Sequence, residues 1–224
     1  MTGLWIGIDG IDCTGKTTCL EFIRTNSGFQ PIQVFDEFTY SPMGDLIRGL
    51  ISQNRFFSLT VPPSSRWADT MLIFSDWMLK METSSLGEGK PLYLSDRTFL
   101  SAVAYQVVRL HEQYASVPRR DLLDIFRTLA LLARRSIPTL HFEDILLTID
   151  ESELQRRVVG RGEPALSSAE VSFLMEAQTI MVELAPTHCI DVSRLSVGEL
   201  LVSVTRFIQD SQKRQQELQA NAQT

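Results

Sequence analysis

"GIDGIDCTGKTT", residues 7–18, decides how the rest of the chain is read. Within it, "GIDCTGKT" (10–17) has the spacing G-x-x-x-x-G-K-[ST]. Gly10 and Gly15 free the backbone to turn so that successive N–H groups converge on an anion. A helix starting at Lys16 adds its positive N-terminal end. In such a loop the ammonium of Lys16 reaches the β- and γ-phosphates of a nucleotide and the Thr17 hydroxyl binds Mg²⁺, with Asp12, Cys13, Thr14 and Thr18 completing the cradle. A plain glycine turn is the competing reading. The context favours phosphate, because the buried-strand pattern "LWIGID" (4–9) precedes the loop and a helical pattern follows to about residue 26. Cys13 is either a small space-filling side chain or a thiol beside phosphate.

Working outward, apolar runs alternate between strand and helix type. "PIQVFDEF" (31–38), "PLYLSD" (91–96), "DILLTID" (144–150) and "HCIDV" (188–192) join residues 4–9 as five short strands. Helical patterns fall at 44–53, 66–84, 98–115, 119–135, 151–159, 167–184 and 196–212. This alternation predicts an α/β chain: a five-stranded parallel sheet flanked by helices in the three-layer P-loop NTPase arrangement. "FFSLTVPPSS" (56–65) reads as a loop and "GEGKP" (87–91) as a turn. One domain is expected over 1–209, followed by a polar tail, 210–224, that frays.

Of 224 residues, 44% are hydrophobic and 21% charged, which suits a globular chain with a sizeable core. The formal charge of −6 argues against a protein that grips nucleic acid along a basic face. The three cysteines, Cys13, Cys19 and Cys189, form neither a disulfide framework nor a metal-ligand spacing. "MTGLWIGIDG" has no basic lead or cleavage site, and Asp76 and Lys80 break the longest apolar run, so no secretory signal and no membrane span are expected. The expected location is the cytoplasm.

A guanine-reading Asn-Lys-x-Asp is absent, and the D-x-x-G present lies inside the loop itself, which argues against a GTP switch. Phosphoryl transfer needs cations around the acceptor instead, and three segments offer them. "LYLSDRTFLSAVAYQ" (92–106) ends a strand in Asp96, placed to support Mg²⁺, followed by Arg97. "FDEFTYSPMGDLIRGLI" (35–51) carries Asp36, Glu37 and Arg48. "ELQRRVVGRGEP" (153–164) crowds Arg156, Arg157 and Arg161 at a helix end broken by Gly160 and Gly162, the composition of a lid (about 156–166) that closes over phosphates. Solvated surface pairs and helix-terminal cations are the alternatives for each.

Taken in order, these segments resemble the thymidylate kinase family of nucleoside-monophosphate kinases. "IGIDGIDCTGKTT" is similar to the family's first strand and loop, "DEFTYSPMGDLIRGLI" to its acidic–Thr/Ser-Pro-x-Gly–Ile-Arg segment, "DRTFLSAVAYQ" to its D-R-[YH]-x-x-S-x-x-A-[YF] stretch, and "RRVVGRGE" to its lid; the resemblance spans about residues 4–208. It implies ATP and Mg²⁺ as cofactors, with Lys16, Asp96, Arg97, Arg157 and Arg161 catalytic and Thr17 and Asp96 holding the metal. It further implies Asp12 on the sugar 3′-hydroxyl and Arg48 and Arg97 on the acceptor phosphate. Glu37 organises the cations, Phe74 lies against the base, Ser101 lines the site, Tyr105 lies beneath the sugar and Gln106 lies near the base. The implied partner is a nucleoside monophosphate, dTMP first, and the implied assembly is a homodimer through the apolar helix around 67–81.

The chain departs from the family where the base is read. "FSDWMLK" (74–80) places Trp77 or Met78 where the family has an arginine, and Thr98 stands where it has an aromatic residue. Losing a bidentate donor to a base carbonyl costs about 1–3 kcal/mol of discrimination. A modified pyrimidine nucleotide, a deoxynucleoside, or nucleotide binding without turnover are therefore the alternatives.

Overall fold

The computed structural model describes residues 3–25, 28, 32–52, 66–85 and 92–221. The segments read above as a loop at 56–65 and a turn at 87–91 lie outside the described residues.

Five parallel strands form one sheet: β1 (Gly3–Gly10), β2 (Ile32–Phe35), β3 (Leu92–Asp96), β4 (Leu140–Thr148) and β5 (His188–Asp191), in the order β2-β3-β1-β4-β5. β1 is central and almost wholly buried, as a strand must be when both faces carry helices. The helices are α1 (Lys16–Thr25), α2 (Pro42–Ser52), α3 (Arg66–Ser85), α4 (Phe99–Gln113), α5 (Arg119–Arg135), α6 (Glu151–Gly160), α7 (Ser168–Glu183) and α8 (Val197–Asn221). α1 packs with α8, whereas α4 gathers α3, α5 and α7 around it. The connection leaving β1 runs to one side of the sheet and that leaving β4 to the other. The carboxyl ends of these two adjacent strands therefore open a crevice, where open α/β sheets bind ligands.

Two expectations change. β2 ends at Phe35 rather than residue 38, so Asp36 and Glu37 leave the sheet. Over its described residues the tail is helical, because α8 continues to Asn221. Its inward side past residue 210 is polar, which is why hydrophobic periodicity misses it. Ser211 Oγ donates to Glu143 Oε2 at 2.5 Å and Arg214 Nη2 to the same oxygen at 2.7 Å, while Gln215 is buried. These donors also explain why β4 begins at Leu140, four residues earlier than predicted. Together with His141 Nε2, 3.3 Å from Oε1, they give the buried Glu143 near its start polar partners.

Among the described residues no helix is long and apolar enough to cross a membrane.

Candidate active site

The loop between β1 and α1 is built by its backbone. Gly10 has φ +144, and a Cβ there would lie 2.5 Å from the Leu147 carbonyl oxygen; Gly15 has φ +97. Cys13 adopts φ +64, a left-handed conformation uncommon for a residue with a side chain. Its thiol is buried, and burial raises its pKa, which keeps it a thiol rather than a reactive thiolate. Thr14 Oγ1 donates to the Ile11 carbonyl at 2.9 Å, so this hydroxyl braces the turn. Lys16 Nζ donates to the same carbonyl at 2.9 Å. Burial, and then Arg97, push its pKa down to about 8 against the upward pull of Asp12, Asp96 and Glu37. Thr17 and Thr18 are exposed on the first turn of α1.

The facing wall is built by side chains. Arg97, just past β3, has φ +57, and its backbone N–H donates to the Ile8 carbonyl at 3.1 Å. Its guanidinium is ringed: Nη2 meets Asp12 Oδ1 at 2.6 Å, Nε meets Glu37 Oε1 at 3.0 Å, and Nη1 donates to the Gly10 carbonyl at 3.0 Å and to the Tyr105 hydroxyl at 3.3 Å. It lies over the Tyr105 ring, which also stacks on Phe173 with ring centroids 5.9 Å apart. Desolvation opposes ionisation of Asp12, but Arg97, Lys16 and Arg161 outweigh it and hold its pKa below the ordinary value. Asp96 goes the other way, because burial raises its pKa despite Arg97 and Lys16. Arg48 on α2 donates from Nη1 to the Thr39 carbonyl at 2.9 Å, pairs with Asp45, and sits over the Tyr40 ring.

Beneath Arg97 lies an anchor that sequence reasoning missed. Asp9, fully buried near the end of β1, accepts from the Thr98 and Ser101 backbone N–H groups, each at 3.0 Å. It also accepts from their hydroxyls, at 2.5 and 2.6 Å. One carboxylate thus seats the start of α4 against β1. Ser101 lines the cleft, and its hydroxyl is committed to Asp9. Thr98 also caps α4 and packs directly on β1: a Cβ on Gly7 would lie 2.0 Å from its methyl group, so glycine at position 7 is what admits it.

α3 requires a correction. Ile73, Asp76, Trp77 and Lys80, at i, i+3, i+4 and i+7, face the cleft. Phe74 does not face it. It stacks on Phe126 with centroids 5.0 Å apart and meets Phe99 edge-on, in the core between α3, α4 and α5. A cation is nevertheless present on the cleft-facing stripe, at Lys80 rather than at position 77 or 78. Asp76 accepts from the Thr39 backbone N–H at 3.0 Å and from the Thr39 hydroxyl, which ties the segment before α2 to α3. Gln106 lines the same cleft, with Oε1 accepting from Thr70 Oγ1 at 3.0 Å.

The predicted lid is the end of α6 and the turn after it, where Gly162 has φ +78. Arg157 points inward: Nη1 donates to the Cys13 carbonyl at 3.1 Å, Nη2 to the Val192 carbonyl at 2.7 Å, and Nε to Glu153 at 2.6 Å. It therefore ties the loop to the residue after β5, where a catalytic lid arginine is expected. Arg156 is taken up by Glu153. Arg161 is exposed and acts on Asp12 and Cys13 through its charge, and its side chain has no hydrogen-bond partner among the described residues.

Asp12, Glu37, Arg48, Asp96, Arg97 and Tyr105 line one cavity of about 580 Å³, within the ordinary range for small-molecule sites. Lys16 adjoins it closely enough to be felt by Asp12 and Asp96. The residues fit a nucleotide carrying Mg²⁺. The loop has the two glycine positions where a Cβ would crowd its neighbours, Thr17 offers an exposed hydroxyl, and Asp96 Oδ1 is a buried oxygen without a hydrogen-bond partner among the described residues. No group of three or more His, Cys, Asp or Glu side chains among the described residues would hold a metal unaided, so phosphate oxygens would have to complete its shell.

Neither a protein-family model nor a curated protein matches the sequence. The structure is similar to that of thymidylate kinase from Candida albicans, an enzyme described as having broad substrate specificity. The two share 18% identity over 94% of each chain, with a TM-score of 0.67. The likeness establishes the fold.

Proposed function

We propose that this chain is a nucleoside-monophosphate kinase that moves the γ-phosphoryl group of ATP to dTMP, giving ADP and dTDP. The observation that carries this reading is that two arginines from distant segments, Arg48 and Arg97, line one cavity with Asp12 of the glycine loop, and that Lys16 of the same loop acts by its charge on Asp12 and Asp96 in that lining. Gly10, Gly15 and the start of α1 cradle the donor phosphates, and Lys16 exchanges the Ile11 carbonyl for them. Thr17 and Asp96 would hold Mg²⁺, which would supply charge neutralisation at the donor phosphates. Arg97 and Arg48 orient the acceptor phosphate, Tyr105 supports the sugar, and Gln106 lies toward the base. The acceptor phosphate is itself the nucleophile, so positioning and charge neutralisation suffice and no general base is needed. Arg161 covers the transferring group from the lid.

One observation favours a second reading, in which the acceptor is a deoxynucleoside hydroxyl. The cavity presents four carboxylates, Asp12, Asp36, Glu37 and Asp96, against two arginines already engaged by Glu37, Asp12 and Asp45. A neutral acceptor enters such a field more easily than a dianion. Glu37 would then take the hydroxyl proton while the oxygen attacks the γ-phosphorus and ADP leaves.

A panel of acceptors with ATP and Mg²⁺, read as ADP release, decides between them. Turnover greatest with dTMP supports the first reading, turnover with thymidine but not dTMP supports the second, and no release above background across both classes rejects kinase activity. For assembly, we propose a homodimer through the groove of α3 and α5, where Met71, Leu129 and Leu132 are exposed. Sedimentation as a monomer at micromolar concentration removes it.

A further inference from the structure

Behind the cleft sits a buried cation that the chemistry above does not use. Lys80 is 2% exposed, on the stripe of α3 that faces the cleft. Its Nζ donates to the Glu37 carbonyl at 2.6 Å and to Ser95 Oγ at 3.2 Å. Ser95 Oγ donates in turn to the Arg97 carbonyl at 2.8 Å. One ammonium therefore holds, directly or through one hydroxyl, the backbones of the two residues whose side chains form the 3.0 Å ion pair of the acceptor wall. Both backbones need holding. Glu37 lies beyond the last ladder residue of β2, and Arg97 has φ +57, a region costly for a side-chain-bearing residue.

An apolar residue would fill this space at less cost, since burying an ammonium is expensive. The groups that face it are Asp76 on its own helix, Glu37 after β2, Asp96 at the end of β3 and Asp9 on β1. Together these carboxylates supply the field that a buried cation requires.

We infer that Lys80 is a positioning residue of phosphoryl transfer: it fixes the Glu37 and Arg97 backbones, and with them the charge pair that meets the acceptor. This rests on the kinase reading above, but its test does not depend on turnover alone.

Lys80→Met keeps the bulk of the stem and removes the donor. The expected result is a folded protein with kcat lowered by about ten- to a hundredfold, acceptor KM raised, and KM for ATP unchanged within about twofold. Ser95→Ala keeps the ammonium and its bond to the Glu37 carbonyl but removes the hydroxyl that relays it to Arg97, with an expected loss in kcat of about two- to tenfold. Crystal structures of the wild type and both variants read the geometry directly. A Glu37–Arg97 pair opened beyond hydrogen-bonding distance supports the role, whether or not any acceptor is phosphorylated. A folded Lys80→Met with wild-type kcat and the pair still at 3.0 Å overturns it. Where Lys80→Met does not fold, Ser95→Ala decides: an unmoved Arg97 backbone and wild-type kcat overturn the role. Absence of ADP release from the wild type with every acceptor rejects the kinase reading instead, and the structural comparison still judges Lys80.

Discussion

The donor and acceptor halves of the cleft are built by opposite means. The donor half is nine consecutive residues, 10–18, whose shape is set by two glycines and by hydrogen bonds returning to the Ile11 carbonyl. The acceptor half takes single side chains from the ends of β2 and β3 and from α2, α3 and α4, and pairs nearly every charge with another. The difference follows from what each side meets. A triphosphate presents the same oxygens every time, so main-chain N–H groups suffice. An acceptor must be told from its relatives, which needs side chains held by tertiary contacts.

The largest expected effect tests the donor half. Lys16→Ala should lower kcat/KM for ATP by about 10³-fold, because it removes the one side-chain cation of the cradle. Arg97→Ala comes next. It should cut kcat by about 10²-fold while KM for ATP stays within a few-fold, since Arg97 belongs to the acceptor half even though it touches Asp12 and the Gly10 carbonyl. Equal loss of ATP binding in both variants, measured by titration with a non-hydrolysable analogue, would erase the division between the halves.

The same division explains what could be read without coordinates. The loop was legible because its chemistry is contiguous. The strands were legible because buried parallel strands are unbroken apolar runs. Arg48 and Arg97 were placed through an ordered resemblance. Phase on α3 was not legible: each residue turns the helix by 100°, so choosing Phe74 over Ile73 moves the presumed base contact from the cleft into an aromatic core. Lys80 was noticed only as an interruption of an apolar run. Asp9 reads as an ordinary strand-end residue, and its four bonds arise from residues about 90 positions away. A polar seam made the end of α8 look like a frayed tail.

Arg48 offers a smaller and sharper probe. It is more exposed than Arg97 and its partners are mostly carbonyls, so Arg48→Met should raise acceptor KM by about tenfold and leave kcat within a few-fold. If the acceptor is an uncharged nucleoside, the same variant should leave KM nearly unchanged, and the comparison of dTMP with thymidine as substrates reads which holds.

The smallest effect concerns stability and isolates the buried cation of the acceptor half. Burial pushes the pKa of Lys80 down to about 8 in the folded chain, whereas an ordinary lysine titrates at 10.5. Below pH 8 both states carry the proton and stability does not change with pH on this account. Between 8 and 10.5 the unfolded chain binds more protons than the folded one, so this group makes unfolding free energy rise with pH. Cys19, pushed up to about 12, and Tyr105, raised by burial, act oppositely, because the folded state keeps protons that the unfolded state loses. The wild-type curve alone therefore mixes signs. Subtracting the curve for Lys80→Met cancels the groups common to both chains. The difference, from urea melts at fixed ionic strength, should rise with pH by about 1 kcal/mol between pH 8 and 9. A flat difference would mean that Lys80 titrates as an ordinary surface lysine, and the acceptor wall would then rest on Asp9 and Asp76 without a buried ammonium beneath it.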